Sequence, residues 1–546
     1  MGISTLFYLR GLQVTRCHLC YAAELATWIS KFSERPNPFR RLPYSFIIQE
    51  ARWKTSTIFG EQKYLRRLGS PVRLLIRLGE LVIILGTALI IVLPFFPFIQ
   101  RGSTSRTFVF SISHLALRLA GATFIKLGQW ASTRPDVLPT DFCHILAQLH
   151  SEAPTHSMSW NRHLFQKEFG LELEHLFSSF NSNPVGSGTI AQVHICTLRN
   201  GGLEVAVKIA HPHVAEKIER DLQLIGLIAA VVDSMFPWLN IMEEAQYFSN
   251  MMHEQLDLRR EAYTLAHFSR NFATWRTVSI PVPIYPYVSS SILMETFASG
   301  TSIAKFVRPW PGNSSPAIEH RITYELATIG LNSFLQMLLW DNFIHADLHP
   351  GNILVRFCDK KGKVLWTRGP SKELAEILSQ NPTAHPQVVF LDTGMVTQLS
   401  RRDRKNFDDL FLALVIRGDG QLAGRLLIER SPASRASVIN GDEFCRKFDG
   451  LVRPLFQRGG VGNLDLRRFT VAPLLIEVFD LVREHRIRLD GSFTNLVMSF
   501  MCMEGLGKQL APDFNLIPML VRGALQYLVT TAAIKVSETA ERTLSY

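Results

Sequence analysis

His345-Ala346-Asp347-Leu348-His349-Pro350-Gly351-Asn352, answered further along by Leu391-Asp392-Thr393-Gly394, is the stretch on which the reading of this sequence turns. Asp347 stands five residues before Asn352, and Ile353-Leu354-Val355 follow at once as an apolar strand. A second strand-like run, Val388 to Leu391, delivers Asp392, and Gly394 closes the turn behind it. Two carboxylates and a carboxamide at the ends of apolar strands make a set of hard oxygen donors, suited to Mg²⁺ and phosphate oxygens.

Transfer of a phosphoryl group from a nucleotide needs little covalent help, so the protein must hold the phosphates, neutralise them and position the acceptor. Candidates for each task stand upstream, in the order protein kinases use. Pro184-Val-Gly186-Ser187-Gly188-Thr189-Ile190-Ala191-Gln-Val193 matches GxGxxGxV except for alanine at the third glycine, and glycines let backbone amides approach phosphate closely. GxGxxA also opens dinucleotide-binding folds, but there a helix follows directly; here the strand-like runs Ile190 to Leu198 and Leu203 to Ile209 flank Asn200-Gly201-Gly202, which reads as a hairpin. The second run carries Val205-Ala206-Val207-Lys208, the lysine-bearing strand of kinases, whose ammonium binds phosphate oxygens. Glu261, on a predicted helix, is its best carboxylate partner; a solvated helix face beside Arg259 and Arg260 is the competing reading. The expected fold is therefore α+β, a two-lobed protein-kinase-like core, with ATP and Mg²⁺ as cofactors. Asp347, Lys208 and Glu261 are the catalytic candidates, and Asn352 and Asp392 the metal ligands. The nucleotide-binding candidates are Gly186, Ser187, Gly188, Thr189, Ile190, Ala191, Val193 and Lys208, with Glu295 at the end of a short predicted strand over 291–295.

The chain has 546 residues, enough for a large core with extensions, and its 47% apolar and 19% charged content belongs to globular proteins. Its net charge of +11 is concentrated at the front, where Met1 to Glu80 holds thirteen Lys or Arg against five acids. Arg-bearing, acid-poor sequence such as MGISTLFYLRGLQVTRCHLCYA has the pattern of a mitochondrial import segment, with a plain basic arm as the alternative and no nucleic acid expected as a partner. Seven scattered cysteines argue against a disulfide framework, and the lone Cys17-x-x-Cys20 is weak support for zinc or redox chemistry.

Leu81 to Ile99, LVIILGTALIIVLPFFPFI, carries no charge and as a helix would be about 28 Å long, close to a bilayer's hydrocarbon thickness. It reads as a transmembrane helix, or as a buried hairpin helix broken at Pro94 and Pro97. Helical spacing runs from Ser113 to Leu149 with a turn marked by Pro135 and Pro139, and from Val214 to Phe268 with a break at Pro237; after Gly300 the chain is mostly helical. The polar stretch between the strand runs at 353–357 and 388–391 reads as a long surface insertion, either a partner-binding element or disordered.

His349 replaces the lysine-like residue of ordinary kinases, and HxDxHPGN resembles the UbiB/AarF family of atypical kinases over about Phe110 to Asn515. Lys126-Leu-Gly128-Gln129 with Ser132-Thr-Arg-Pro-Asp136 matches that family's KxGQ motif, and EGLGKQLAPDFN from Glu504 matches its C-terminal region. The insertion resembles the family's mitochondrial branch. The resemblance implies that the KxGQ helices cover the cleft where a protein substrate would sit, with Lys126 and Gln129 facing the nucleotide pocket and Lys126, Gly128, Gln129, Gln255 and Asp257 as regulatory positions. It implies a membrane-anchored mitochondrial kinase or ATPase supporting coenzyme Q and lipid metabolism, with membrane or quinone-pathway lipids and coenzyme Q biosynthetic proteins as partners. The expected layout is an N-terminal targeting region over 1–80, a single inner-membrane pass over 81–99, a KxGQ extension over 110–180, an N-lobe over 181–299, a C-lobe over 300–516 with its insertion at 358–387, and a helical tail over 517–546.

Two departures from the family stand out. The family's alanine-rich nucleotide loop is Gly186-Ser187-Gly188-Thr189 here, and the ExD motif reads Gln255-Leu256-Asp257, one negative charge short. A nucleotide-binding pseudokinase scaffold that organises lipid or quinone biosynthetic enzymes is the second reading. A dinucleotide-dependent oxidoreductase is the third; it leaves Asp347 and Asp392 without a role.

Overall fold

The computed structural model describes residues 71–527, apart from 99–102, 150–153, 236–240, 308–309, 311–315, 432–437, 458–470 and a few positions between 488 and 525. Residues 1–70, with their import reading and Cys17 and Cys20, lie outside the described residues, as does the tail beyond 527.

The apolar segment forms helix α1, Pro71–Val92, followed by a 3-10 stretch, Leu93–Phe98. The helix therefore begins ten residues before the expected Leu81, including Arg73, Arg77 and Glu80, and stops two residues short of Pro94. Val72–Phe95 is long and apolar enough to cross a membrane by length and composition. The stretch read as one interrupted helix resolves into α2 (Ser103–Ala120), α3 (Ala122–Ser132) and α4 (Thr140–Leu146), then α5 (Met158–Phe169). α1 lies on this group: Leu81, Ala120 and Phe124 share a core cluster with Leu224. Arg77 pairs with Asp221 at 2.7 Å, and the same carboxylate accepts from the Thr123 hydroxyl at 2.7 Å.

The first sheet comprises β1 (Phe177–Phe180), β2 (Gly186–Ser187), β3 (Ala191–Leu198), β4 (Glu204–Ala210), β6 (Pro283–Val288) and β7 (Ile292–Thr296), in the order β1-β3-β4-β7-β6 with β2 on β3. Gly201 and Gly202, at φ 91° and 63°, turn β3 into β4 through backbone angles that a side chain disfavours. Val193 lies opposite Lys208, and Glu295 opposite Ala206. The two-residue period therefore sets all four on one face, while Val205, Val207 and Ile209 are fully buried on the other. The long helical stretch is three helices, α6 (Val214–Met235), α7 (Ile241–Leu256) and α8 (Leu258–Asn271).

The short strand β5 (Val278–Ser279) precedes β6 in the chain but pairs in parallel with β12 (His385–Phe390) of the second sheet. That sheet runs β11 (Val364–Trp366), β10 (Ile353–Cys358), β12, β5, with β8 (Thr301–Ser302) also on β10. Its core is shared with α9 (Pro316–Leu335) and a late helix, Gly491–Leu510. The insertion is ordered chain: it contains β11 and the helix α10, Lys372–Gln380, which Ser371 caps at its N-terminus and whose Leu374 and Leu378 are buried in the main core. KELAEILSQ places its leucines one turn apart, so the segment has an apolar face to bury despite its polar composition.

Beyond β9 (Ile344–His345) and its antiparallel partner β13 (Val396–Thr397), the chain is helical: α11 (Arg401–Phe411), α12 (Gly420–Glu429), α13 (Gly441–Gln457), α14 (Val471–Glu484) and α15, the late helix Gly491–Leu510. α12 and α13 approach through glycine: a Cβ on Gly420 would stand 2.6 Å from Asp449 Cα, and one on Gly424 3.1 Å from Cys445 Cα. Backbone cannot swing aside as a side-chain tip can. Gly420→Ala is therefore expected to destabilise the protein by about 1–3 kcal/mol, even though alanine favours a helix by about 1 kcal/mol over glycine. Urea unfolding of the variant beside wild type reads the difference, and an unchanged midpoint would refute the close approach.

Candidate active site

Lys208 on β4 meets Glu261 on α8 through both carboxylate oxygens at 2.9 Å, and reaches Asp392 Oδ1 at 3.4 Å. Glu261 is 7% exposed, so it is not on a solvated helix face. A strand, a helix and the loop after β12 thus converge on one ammonium. Burial works against that charge, but Asp392 and Glu261 outweigh it and hold the lysine above its ordinary range. The Lys208 ammonium, more than that of Lys126, holds the half-exposed Asp392 carboxyl well below the usual carboxylate range against the opposing cost of burial. Glu295 is pushed up to about 8, chiefly by burial and then by Glu261, and burial raises Glu261 too.

The loop around Asp347 is held by its own histidines. His345, fully buried on β9, bonds through Nε2 to the Leu391 carbonyl at 3.0 Å, while its Nδ1 accepts the Asp347 backbone N–H at 3.1 Å. A carbonyl can only accept, so the ring carries its proton on Nε2; burial lowers its pKa and keeps it neutral. His349 caps the next turn, its Nδ1 accepting from Gly351 N–H at 3.1 Å. Asn352 Nδ2 donates to the Asp347 carbonyl at 3.1 Å, which leaves Oδ1 as its candidate ligand oxygen. The Asn352 carbonyl in turn accepts Leu391 N–H at 2.9 Å, tying the two loops together. Asp392 adopts φ 51°, a backbone region aspartate tolerates better than branched residues. A Cβ at position 394 would lie 3.2 Å from Asp392 Oδ1, so glycine there leaves the carboxylate room to turn.

The residues fit a divalent cation. Asp392 is ionised and Asn352 supplies a neutral oxygen, a pair of hard oxygen donors of the kind Mg²⁺ takes from protein beside phosphate oxygens. No group of three or more His, Cys, Asp or Glu suited to a metal occurs among the described residues, so any ion here must draw on Asn352 and on phosphate oxygens.

The glycine loop is a tight turn off β2, with Gly188 N–H donating to the Ala191 carbonyl at 2.9 Å and Thr189 buried beside Ile190. Lys126 on α3 acts electrostatically on both Asp392 and Glu261, which puts it at the cleft. Gln129 is turned elsewhere: its amide donates to the Leu149 carbonyl at 2.7 Å. Gly128 packs under Leu149, whose side chain would overlap a Cβ. Asp257 caps α8, accepting from Arg259 N–H at 3.0 Å, and pairs with the Arg259 guanidinium. The structure therefore does not bring it to the metal candidates. Gln255 keeps a buried Nε2 without a partner among the described residues.

Cys502 and Arg483 carry no sequence signal, whereas Glu504, Arg134 and Asp136 lie in stretches already read as motifs. Cys502 of α15 donates its thiol to the Leu348 carbonyl at 2.7 Å, and burial, then Asp347, pushes that thiol up to about 11. Glu504 accepts the first N–H of α14, from Val471, at 2.6 Å. Arg134 spans Asp136 and Glu244, and Arg483 of α14 donates to the Pro135 and Leu138 carbonyls at 3.1 Å, so the KxGQ segment is bound to both lobes.

A two-lobed kinase-like core is the class this geometry defines. Residues 148–424 match the ABC1 atypical kinase-like domain, and 461–515 match the UbiB helical domain. An ABC1 family protein of Schizosaccharomyces pombe, described as mitochondrial, is 33% identical over 86% of this chain and 72% of its own length. A second, from Saccharomyces cerevisiae and also described as mitochondrial, is 33% identical over 73% of this chain and 65% of its own. The probable protein kinase UbiB of Marinobacter nauticus is 29% identical over 74% and 67%. The chain thus spans about two thirds of the length of these relatives, and it belongs to the ABC1/UbiB family of atypical kinase-like proteins.

Glu295 offers a check on the electrostatics. A carboxyl raised from its ordinary 4.5 to about 8 in the folded state costs no stability below 4.5, and its penalty grows from there and is complete once pH has passed about 8. Glu295→Gln is therefore expected to stabilise the protein above pH 8, with the gain fading toward pH 4.5; denaturant titrations across that window measure it, and a gain independent of pH would count against the assignment.

Proposed function

We propose that this chain is a mitochondrial, membrane-attached atypical kinase or ATPase that uses Mg·ATP in support of coenzyme Q and lipid metabolism. The observation that carries this reading is the single ammonium of Lys208 shared by Glu261 and Asp392, next to a loop whose geometry His345 fixes. Lys208 would meet the phosphates, Asp392 and Asn352 would hold Mg²⁺, and the glycine loop would cover the nucleotide. The metal, when bound, supplies charge neutralisation at the transferring phosphoryl group. Asp347, with a side chain 36% exposed and His349 4.0 Å away, would orient an acceptor hydroxyl or water and take its proton. With Lys126 reaching over the cleft, a small or lipid acceptor suits the site better than an ordinary protein substrate.

Attachment to the inner membrane rests on α1. Val72, Leu75, Ile76, Val82, Ile83, Leu89, Ile90 and Leu93 are all exposed, at the spacing of one helical face. An uncharged face that long is rare on a soluble surface. Because the opposite face packs on α2, α3 and α6, the packing favours lipid contact along this stripe over the free single pass expected from 81–99.

Asp392→Asn is expected to abolish the Mg²⁺-dependent part of ATP stabilisation in thermal melts. Asp347→Asn should keep that stabilisation and lose turnover by about 100-fold or more. Equal ATP turnover in the Asp347 variant and wild type would transfer support to a scaffold that binds nucleotide without chemistry. For the membrane, Ile83→Glu with Ile90→Glu is expected to move the protein into the alkaline-extractable fraction; retention with the membrane pellet would exclude the stripe as the contact.

A further inference from the structure

Behind the glycine loop lies a chain of three histidines that the proposed chemistry does not use. His211, just after β4, bonds through Nε2 to the Gly188 carbonyl at 2.9 Å and faces His156 across an Nδ1 to Nδ1 distance of 2.8 Å. His156 bonds through Nε2 to Asn161 Oδ1 at 2.7 Å, and Asn161 Nδ2 lies 3.2 Å from Nε2 of the buried His194. His194 Nδ1 is 2.8 Å from the Asn181 carbonyl, and Gln192 Nε2 is 2.9 Å from His194 Nε2.

The proton positions follow from the groups that have no choice. The Asn181 carbonyl accepts, so the neutral His194, its pKa lowered by burial, holds its proton on Nδ1 and accepts at Nε2. Gln192 agrees: its Oε1 accepts His156 N–H at 2.9 Å, which turns its amide nitrogen to His194. Asn161 must then present its nitrogen to His194 and its oxygen to His156, so His156 carries a proton on Nε2. The Gly188 carbonyl fixes a proton on His211 Nε2 in the same way. Two neutral rings so arranged would oppose bare lone pairs at 2.8 Å, and one further proton turns that repulsion into a charge-assisted hydrogen bond.

We propose that His156 and His211 share one proton between their Nδ1 atoms, forming a positively charged clasp that fixes Gly188 at the turn of the nucleotide loop and strengthens nucleotide binding as pH falls. Burial opposes it, pulling His156 down to about 4 with the charges of His211 and His194 adding to the pull and the Asn161 hydrogen bond resisting it, and lowering His211, with Lys217 adding to the pull there. The pair gains what neither ring has alone, and its titration belongs to both rings together. The other groups around it are His194 on β3, His163 of α5 and His213, both tilted against the Trp160 ring, and Glu216, 3.7 Å from His213. A shared proton retained above the unfolded histidine value near 6.5 adds stability below about that pH, and the contribution disappears as pH rises through the pair's own value. By reciprocity, phosphate bound at the loop makes that proton harder to lose.

The consequence for binding rests on Gly186 to Ala191 being the nucleotide loop; the shared proton does not. Long-range proton–nitrogen correlation spectra of the full chain in detergent, labelled in histidine and assigned with His156→Phe and His211→Phe, read the rings directly. Expected is a protonated Nδ1 shared by both rings near neutral pH; two neutral rings with bare Nδ1 atoms would overturn the clasp. Mg·ATP affinity is then compared between about pH 6 and pH 8, where wild type should weaken about five-fold more than His156→Gln, as expected for one nearby charge. Equal pH dependence in the two would overturn the link to binding. Absence of nucleotide binding at either pH would fail the nucleotide reading instead, with the spectra still deciding the proton.

Discussion

One ammonium with too many claimants organises this molecule. Lys208 comes from a strand, Glu261 from a helix that follows two others in the chain, and Asp392 from a loop of the second sheet, and one nitrogen joins all three. A buried cation facing several carboxylates is worth little as a stabilising bridge, because desolvation offsets most of the attraction. Its value lies in position. The strand register that sets Lys208, Val193, Ala206 and Glu295 on one face, and the hydrogen bonds that Leu391 makes with Asn352 and His345, keep that ammonium beside Asp392.

The parts outside the kinase-like core act on this centre through backbone carbonyls more than through side-chain pairs. Cys502 grips Leu348, Arg483 grips Pro135 and Leu138, and Gln129 grips Leu149. Carbonyl contacts fix where a loop runs without dictating its residues, which explains how a helical domain remote in sequence can shape the Asp347 loop and the KxGQ turn together.

Much of the site was legible because its chemistry requires residue types in order. The glycine turn, the lysine strand, HADLHPGN and Asp392-x-Gly each declare themselves locally, and the Asn-Gly-Gly turn with its two strands came out within a residue of the observed hairpin. What stayed hidden is what depends on tertiary partners. The insertion looked like loop because its composition is polar, yet two leucines one turn apart suffice to dock a helix. The helix at the front began earlier than its charge-free run because Arg77 found Asp221, a partner 144 residues away. Asp257 had a motif's position but was already committed to capping α8, and no spacing rule marks His156, His194 and His211 as neighbours.

Asp221 is held on one side by Arg77 of the apolar helix and on the other by Thr123, one helical turn before Lys126. The carboxylate is a rivet through three helices, and the same guanidinium also reaches the Ala120 carbonyl at the start of the bend into α3. The position of α1 and that of the turn leading to Lys126 are therefore set by one shared set of polar contacts. The apolar helix and the KxGQ helix are thus joined through a single aspartate.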